Sequence, residues 1–106
     1  MKKILALILA CAAFNTFAKP IKIGFLLSTL QEERYQKDKK YFEDEAKKLG
    51  AEVLFFAADN SERNQVKTME NLLTKSVDVV VVQPVNSDAA STLVEMAAEE
   101  KVPVIA

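Results

Sequence analysis

Beyond residue 20 the chain switches repeatedly between two hydrophobic periods. Ile21, Ile23, Phe25, Leu26 and Leu27 form a short apolar run, broken only by Lys22 and Gly24, that reads as a strand. The charged stretch from Gln31 to Leu49 follows, with its larger apolar residues at Tyr35, Phe42, Ala46 and Leu49. Steps of about seven, four and three residues trace one face of a helix. Thr29 and Glu32 have the spacing of a capping box at its start, and Gly50 suits its end. Glu43 with Lys47, and Asp44 with Lys48, are acid-first pairs on the solvated face.

The plan then repeats. Val53 to Ala57 is a fully apolar strand, Asp59-Asn60-Ser61 a turn and helix start, and Val66, Met69, Leu72 and Leu73 the stripe of a second helix. Met69 reads as a gap-filler in that stripe. Val79 to Val82 is β-branched without polar alternation, the pattern of a central parallel strand buried on both faces. Pro84 stops it, Ser87 or Asp88 can cap a third helix, and that helix shows the face Ala89, Leu93, Met96 and Ala97. A fourth strand spans Val102 to Ala106.

The predicted order is βαβαβαβ. Crossovers between parallel strands are right-handed, so helices cover both faces. The expected fold is a doubly wound α/β parallel sheet of strand order 2-1-3-4. In such sheets ligands bind beyond the carboxyl ends of the strands, where the strand order reverses. Three loops lie there: Ser28 to Asp38, Ala58 to Ser61, and Gln83 to Asp88.

Residues 1–18 follow a different rule. Met1-Lys2-Lys3 is a positive start, Ile4 to Ala13 an unbroken apolar run, and Thr16 and Ala18 the small residues that a signal peptidase reads. This is the plan of a secretory signal peptide, and residues 19–106 are then the mature domain, exported to the periplasm. The apolar run is shorter than the roughly 20 residues that span a bilayer. An alternative is lipoprotein anchoring through Cys11, although Leu9 is large for the processing site that this requires.

Composition removes several kinds of chemistry. The net charge is -1 and no long basic run occurs, so nucleic-acid binding has no electrostatic support. The chain has no His, and its one Cys lies in the leader, so the mature part lacks the commonest general base and a thiol nucleophile. No glycine-rich phosphate loop follows the first strand, and no cofactor or metal is implied. A phospho-acceptor domain would need carboxylates where Ser28, Thr29 and Gln83 stand. Ser28 lies at a strand end without a nucleophile elbow or a His partner. The chain therefore reads as a binder and not an enzyme.

What the three loops offer is Arg34, Tyr35, Lys37, Asp38, Asn60, Gln83 and Asn86. Donors and acceptors of this kind can hold sugar hydroxyls, and an aromatic ring such as that of Tyr35 can take the C–H face of a pyranose. Plainer readings stand beside these. Arg34 and Lys37 can be solvated charges at a helix start, and Asn86 a cap or turn residue.

Three segments carry a resemblance. They are Ile21-Lys22-Ile23-Gly24-Phe25 with Glu33-Arg34-Tyr35-Gln36-Lys37-Asp38; Leu49-Gly50-Ala51-Glu52-Val53; and Asn71, then Val77 to Val81 with Gln83-Pro84 and Asn86. The chain resembles the sugar-binding proteins of ABC importers, which have the type I periplasmic binding fold, and most of all their D-xylose-binding members. The resemblance implies that Arg34 hydrogen-bonds the sugar. It places Tyr35 and Lys37 in the same ligand-facing segment and Asn86 in a contacting loop. The implied ligand is a monosaccharide, a pentose and specifically D-xylose, and the implied partner is the membrane permease. A binding protein signalling to a membrane histidine kinase or chemoreceptor is the alternative role. Xylose binders often carry Trp at the place of Tyr35 and acids at those of Ser28 and Thr29. Family members also continue past the place of Ala106 into a Tyr-Asp-Arg stretch and a second lobe. Residues 19–106 are thus expected to be an incomplete N-terminal lobe that alone binds sugar weakly or not at all.

Overall fold

The computed structural model describes residues 19–106. The export signal and Cys11 lie outside the described residues. The elements run β1 (Lys22–Leu27), α1 (Glu33–Lys48), β2 (Glu52–Ala57), α2 (Glu62–Leu73), β3 (Val79–Val82), α3 (Ser87–Glu99) and β4 (Val104–Ile105). The four strands make one parallel sheet of order β2-β1-β3-β4, as the alternation of periods predicts. Register aligns Leu26 with Phe56 on one side and Val82 on the other, so the strands end together at one edge of the sheet.

Two apolar layers sandwich the sheet. On one face Leu26, Val80 and Val82 pack with Met69 and Leu72 of α2 and Leu93 of α3. On the other, Phe25 and Leu27 pack with Tyr35 and Phe42 of α1, and Phe55 and Val81 join them half-buried. Phe25 stacks on Phe42 with ring centroids 4.1 Å apart, and Phe55 meets Phe25 at 5.8 Å. This uneven cover explains why β3 is not sealed on both faces. Two helices bury Val80 and Val82, whereas α1 alone serves the other face and leaves Val79 and Val81 half-buried. Likewise β2 is apolar but only half-buried, because it is an edge strand.

Several local expectations change in detail. The helix α1 begins with Glu32 as its N-cap, and no side chain caps it. Thr29 is one turn too early to reach the free N–H groups of the helix; its Oγ1 instead accepts from the Gln31 N–H at 3.0 Å. At the other end Gly50 has φ +76, and the Gly50 and Ala51 N–H groups donate to Lys47 O and Ala46 O. That is the Schellman closure, in which glycine accepts a left-handed backbone at little cost. Leu49 lies in this closing turn and is exposed rather than part of the packed face.

Glu43 and Asp44 pair backwards, with Lys39 and Lys40, and not forwards with Lys47 and Lys48. Lys39 is held by its own packing, since its ammonium lies 4.8 Å from the centre of the Phe55 ring. The hydrogen bond from Lys40 lowers the Asp44 carboxyl and raises the Lys40 ammonium relative to their ordinary pKa values. The start of α3 also moves by one residue. Asn86, extended at φ -157, caps it by accepting from the Ala89 N–H at 2.8 Å. Ser87 and Asp88 fall inside the first turn, where Asp88 faces the positive end of the helix dipole.

Gly24 is where α2 comes closest to the sheet. A Cβ on Gly24 would stand 2.7 Å from Leu72 Cδ1, and Leu72 is fully buried. Gly24→Ala should therefore destabilise the chain by about 1–3 kcal/mol, the usual cost of overpacking. Urea unfolding should show the loss, and the further step Leu72→Ala should cost less in the Gly24→Ala background than in the parent.

Candidate functional site

The strands deliver their carboxyl ends to one edge, and the loops there are tied together by Gln83, the residue after β3. Its backbone N–H continues the ladder by donating to Leu26 O at 2.8 Å. Its carbonyl accepts from Gln65 Nε2 at 3.0 Å. Its side-chain Oε1 accepts from Ser28 Oγ at 2.6 Å and from the Ser28 N–H at 3.3 Å. Its Nε2 donates to the Tyr35 hydroxyl at 3.0 Å. The amide orientation follows from chemistry, because the Ser28 N–H can only donate and so must face the oxygen.

Tyr35 lies in the first turn of α1, buried against Phe25 and Leu27. Its hydroxyl accepts a second hydrogen bond, from Arg34 Nη2 at 3.2 Å. The Arg34 guanidinium also stands 4.7 Å from the centre of the Tyr35 ring. The ring is therefore covered, and the hydroxyl is its polar tip. Arg34, Tyr35 and Gln83 line the head of a groove of about 480 Å³ that runs between α1 and β3 over Phe25, Leu27 and Val81.

The four predicted site residues separate into three situations. Arg34 and Tyr35 sit together at the network. Lys37 stands beside them on the outer side of α1, its side chain 62% exposed and paired with Glu33 at 3.4 Å. With Arg34, Asp38 and Tyr41 it borders a neighbouring depression. Asn86 is farther along the loop after β3. It caps α3 through Oδ1, while its Nδ2 donates to Glu62 Oε2 at 3.3 Å. The cap reading of Asn86 is thus realised, and one amide hydrogen remains free for another acceptor.

The second loop folds as Asp59-Asn60 predicts. Both residues take positive φ, 51 and 59, which Asp and Asn tolerate better than other side chains. The Asn60 N–H donates to Ser28 O at 2.7 Å, and Ser61 caps α2 by accepting from the Asn64 N–H.

One residue of the site escapes the sequence reading. Gln65 is fully buried and clamps the loop after β3 from α2. Its Nε2 holds Gln83 O, and its Oε1 accepts from the Val85 N–H at 2.9 Å. The available signal is position: Gln65, Met69 and Leu72 share one helical face, so a polar side chain stands inside an apolar stripe. Among the described residues no buried side-chain polar atom lacks a partner, and no cluster of carboxylates, His or Cys could hold a metal ion.

A family model described as a periplasmic binding protein domain matches residues 23–106. The chain belongs to this family. The periplasmic binding protein domain here is similar to the D-xylose-binding periplasmic protein of Escherichia coli, with 38% identity over 89 residues, 84% of this chain and 27% of that one. It is equally similar, at 38% over 87 residues, to the ribose import binding protein of Bacillus subtilis, covering 82% of this chain and 28% of that one. A solved ABC transporter solute-binding protein from Actinobacillus succinogenes, with bound D-allose, superposes with a TM-score of 0.74 at 27% identity, over 81% of this chain and 30% of that one. The chain thus spans less than a third of the length of these relatives. The doubly wound sheet expected of a type I periplasmic binding protein is the one observed.

The Gln65 clamp makes a stability prediction. Gln65→Leu keeps the apolar volume but leaves Gln83 O and the Val85 N–H without their partners. Such orphaned groups cost about 1–3 kcal/mol each when buried. The variant should unfold at lower denaturant, and hydrogen exchange at the Val85 amide should accelerate beyond the change in global stability.

Proposed function

We propose that this chain carries the first part of the sugar site of a periplasmic substrate-binding protein serving an ABC importer. The observation that carries the reading is the network Arg34–Tyr35–Gln83–Ser28, held at the carboxyl ends of β1 and β3 where the strand order reverses. That is the place where open α/β sheets bind ligands. The relatives lend support: two similar proteins are named for D-xylose and ribose, and a third is solved with D-allose. The polar groups suit hydroxyls, and the groove beside them offers apolar wall for a C–H face.

In this reading residues 1–18 direct export, residues 19–106 form part of the sugar-binding lobe, and the protein acts in the periplasm without catalysing a reaction. Its ligand is a monosaccharide, with D-xylose the first choice, handed on to a membrane permease. Arg34 is the principal contact. Its guanidinium is fixed by the Tyr35 ring and hydroxyl, so little side-chain freedom is left to lose on binding. Lys37 extends the same donor surface, and Asn86 adds a donor from the third loop.

Calorimetry on the complete product of the gene with D-xylose, D-ribose, D-allose and myo-inositol tests this. A saturable heat with at least one sugar is expected, and absence of binding to all four overturns the reading. Charge-assisted hydrogen bonds are worth about 1.5–3 kcal/mol, so Arg34→Ala should weaken binding by about 10- to 100-fold. Asn86→Ser separates two roles, since Ser still caps a helix but lacks the amide. Sugar affinity should fall while thermal stability stays within about 0.5 kcal/mol of the parent.

A further inference from the structure

The Tyr35 hydroxyl receives two hydrogen bonds and gives none to the described residues. Both of its neighbours, Arg34 Nη2 and Gln83 Nε2, can only donate. A phenol oxygen accepts through its lone pairs and keeps one hydrogen to give. Gln83 cannot reverse its amide, because Ser28 places an N–H and a hydroxyl against Oε1. The Ser28 N–H and the Arg34 guanidinium are fixed donors, and between them they determine the direction of every hydrogen bond in the chain from Ser28 to Tyr35.

We propose that Gln83 is a positioning residue that sets the polarity of the ligand contact: it holds Tyr35 as a hydrogen-bond donor, so that Tyr35 and Arg34 together recognise a sugar oxygen acting as acceptor. This rests on the sugar-binding reading above and goes further, since it says which hydrogen-bonding property of one ligand hydroxyl is read. Arg34 has no acceptor capacity and Tyr35 has only its hydrogen to give, so these two side chains present donors alone, while the Asp38 carboxylate lines the same groove as a separate acceptor. A ligand hydroxyl here serves through its lone pairs, and its own hydrogen is not needed. Replacing that hydroxyl by fluorine, which accepts weakly but cannot donate, should then cost less than replacing it by hydrogen.

Gln83→Glu inverts the arrangement with a near-isosteric side chain. One carboxylate oxygen still accepts from Ser28, but the other can no longer donate to Tyr35. The phenol must turn its O–H toward the carboxylate and offer an oxygen lone pair to the ligand instead.

The test is calorimetry of the complete product of the gene with D-xylose and D-ribose, followed by the monodeoxy and monodeoxyfluoro analogues of whichever binds tighter. In the parent, one ring position should show the fluoro analogue binding several-fold better than the deoxy analogue. In Gln83→Glu that preference should vanish, and the parent sugar should bind about tenfold more weakly, the scale of one hydrogen bond. Tyr35→Phe, which keeps the ring and its packing, should abolish the same preference. A merely structural role for Gln83 would weaken all analogues alike and leave their ratio untouched. Persistence of the fluoro preference in either variant, or no fluoro preference at any position in the parent, overturns the proposal while Arg34-dependent sugar binding stands. If neither pentose binds, the pentose reading and the polarity assignment fall together.

Discussion

Every polar atom of Gln83 is engaged, and the organisation of the edge at the carboxyl ends of the strands depends on this. The residue follows β3, and its four partners come from β1, from the loop after β1, from α1 and from α2. The loops after β1 and β3, together with α1 and α2, are thereby fixed to one another by hydrogen bonds, and the loop after β2 joins them through the Asn60 N–H on Ser28 O. Within a half-buried setting such bonds are costly to leave unmade, which makes the arrangement selective for one geometry. The site is built on strand ends and helix starts, and Gln65 braces it from behind on α2.

The two faces of the sheet divide the remaining work. On the side of α2 and α3 the core is closed, with Leu26, Met69, Leu72, Val80 and Leu93 almost wholly buried. Gly24 permits that closeness by carrying no Cβ where Leu72 descends on β1. On the side of α1 the cover is thinner. The Phe25–Phe42 stack and the buried Tyr35 ring hold α1 in place, and a groove remains between the helix and β3. One face of the sheet is therefore closely packed, and the other keeps accessible surface beside the Arg34–Tyr35–Gln83 network.

Much of the fold was legible because parallel α/β units write their periods plainly. The apolar runs at Ile23 to Leu27, Val53 to Ala57 and Val79 to Val82 became strands, and the stripes through Tyr35, Met69 and Leu93 became buried helix faces. The left-handed backbone at Gly50 and the turn at Asp59-Asn60 followed from residue chemistry. Details that depend on a single helical turn were less legible. The capping role fell to Asn86 rather than to Ser87 or Asp88, and the α1 ion pairs ran toward Lys39 and Lys40. Such choices differ by a few tenths of a kcal/mol and are decided by neighbouring elements, such as the Phe55 ring beneath Lys39.

By itself the sequence determined the order of strands and helices, the edge to which the strands bring their carboxyl ends, and the polar inventory of the loops there. These follow from local periodicity and from the handedness of crossovers, which need no knowledge of contacts. Tertiary structure alone decided that Gln65 and Gln83 organise that edge, that the Tyr35 ring is covered while its hydroxyl is held by two donors, and that the Asn86 amide meets Glu62. Hydrogen-bond direction is a property of partners brought together across 48 and 55 residues of chain, and no local pattern records which partner a side-chain amide will meet.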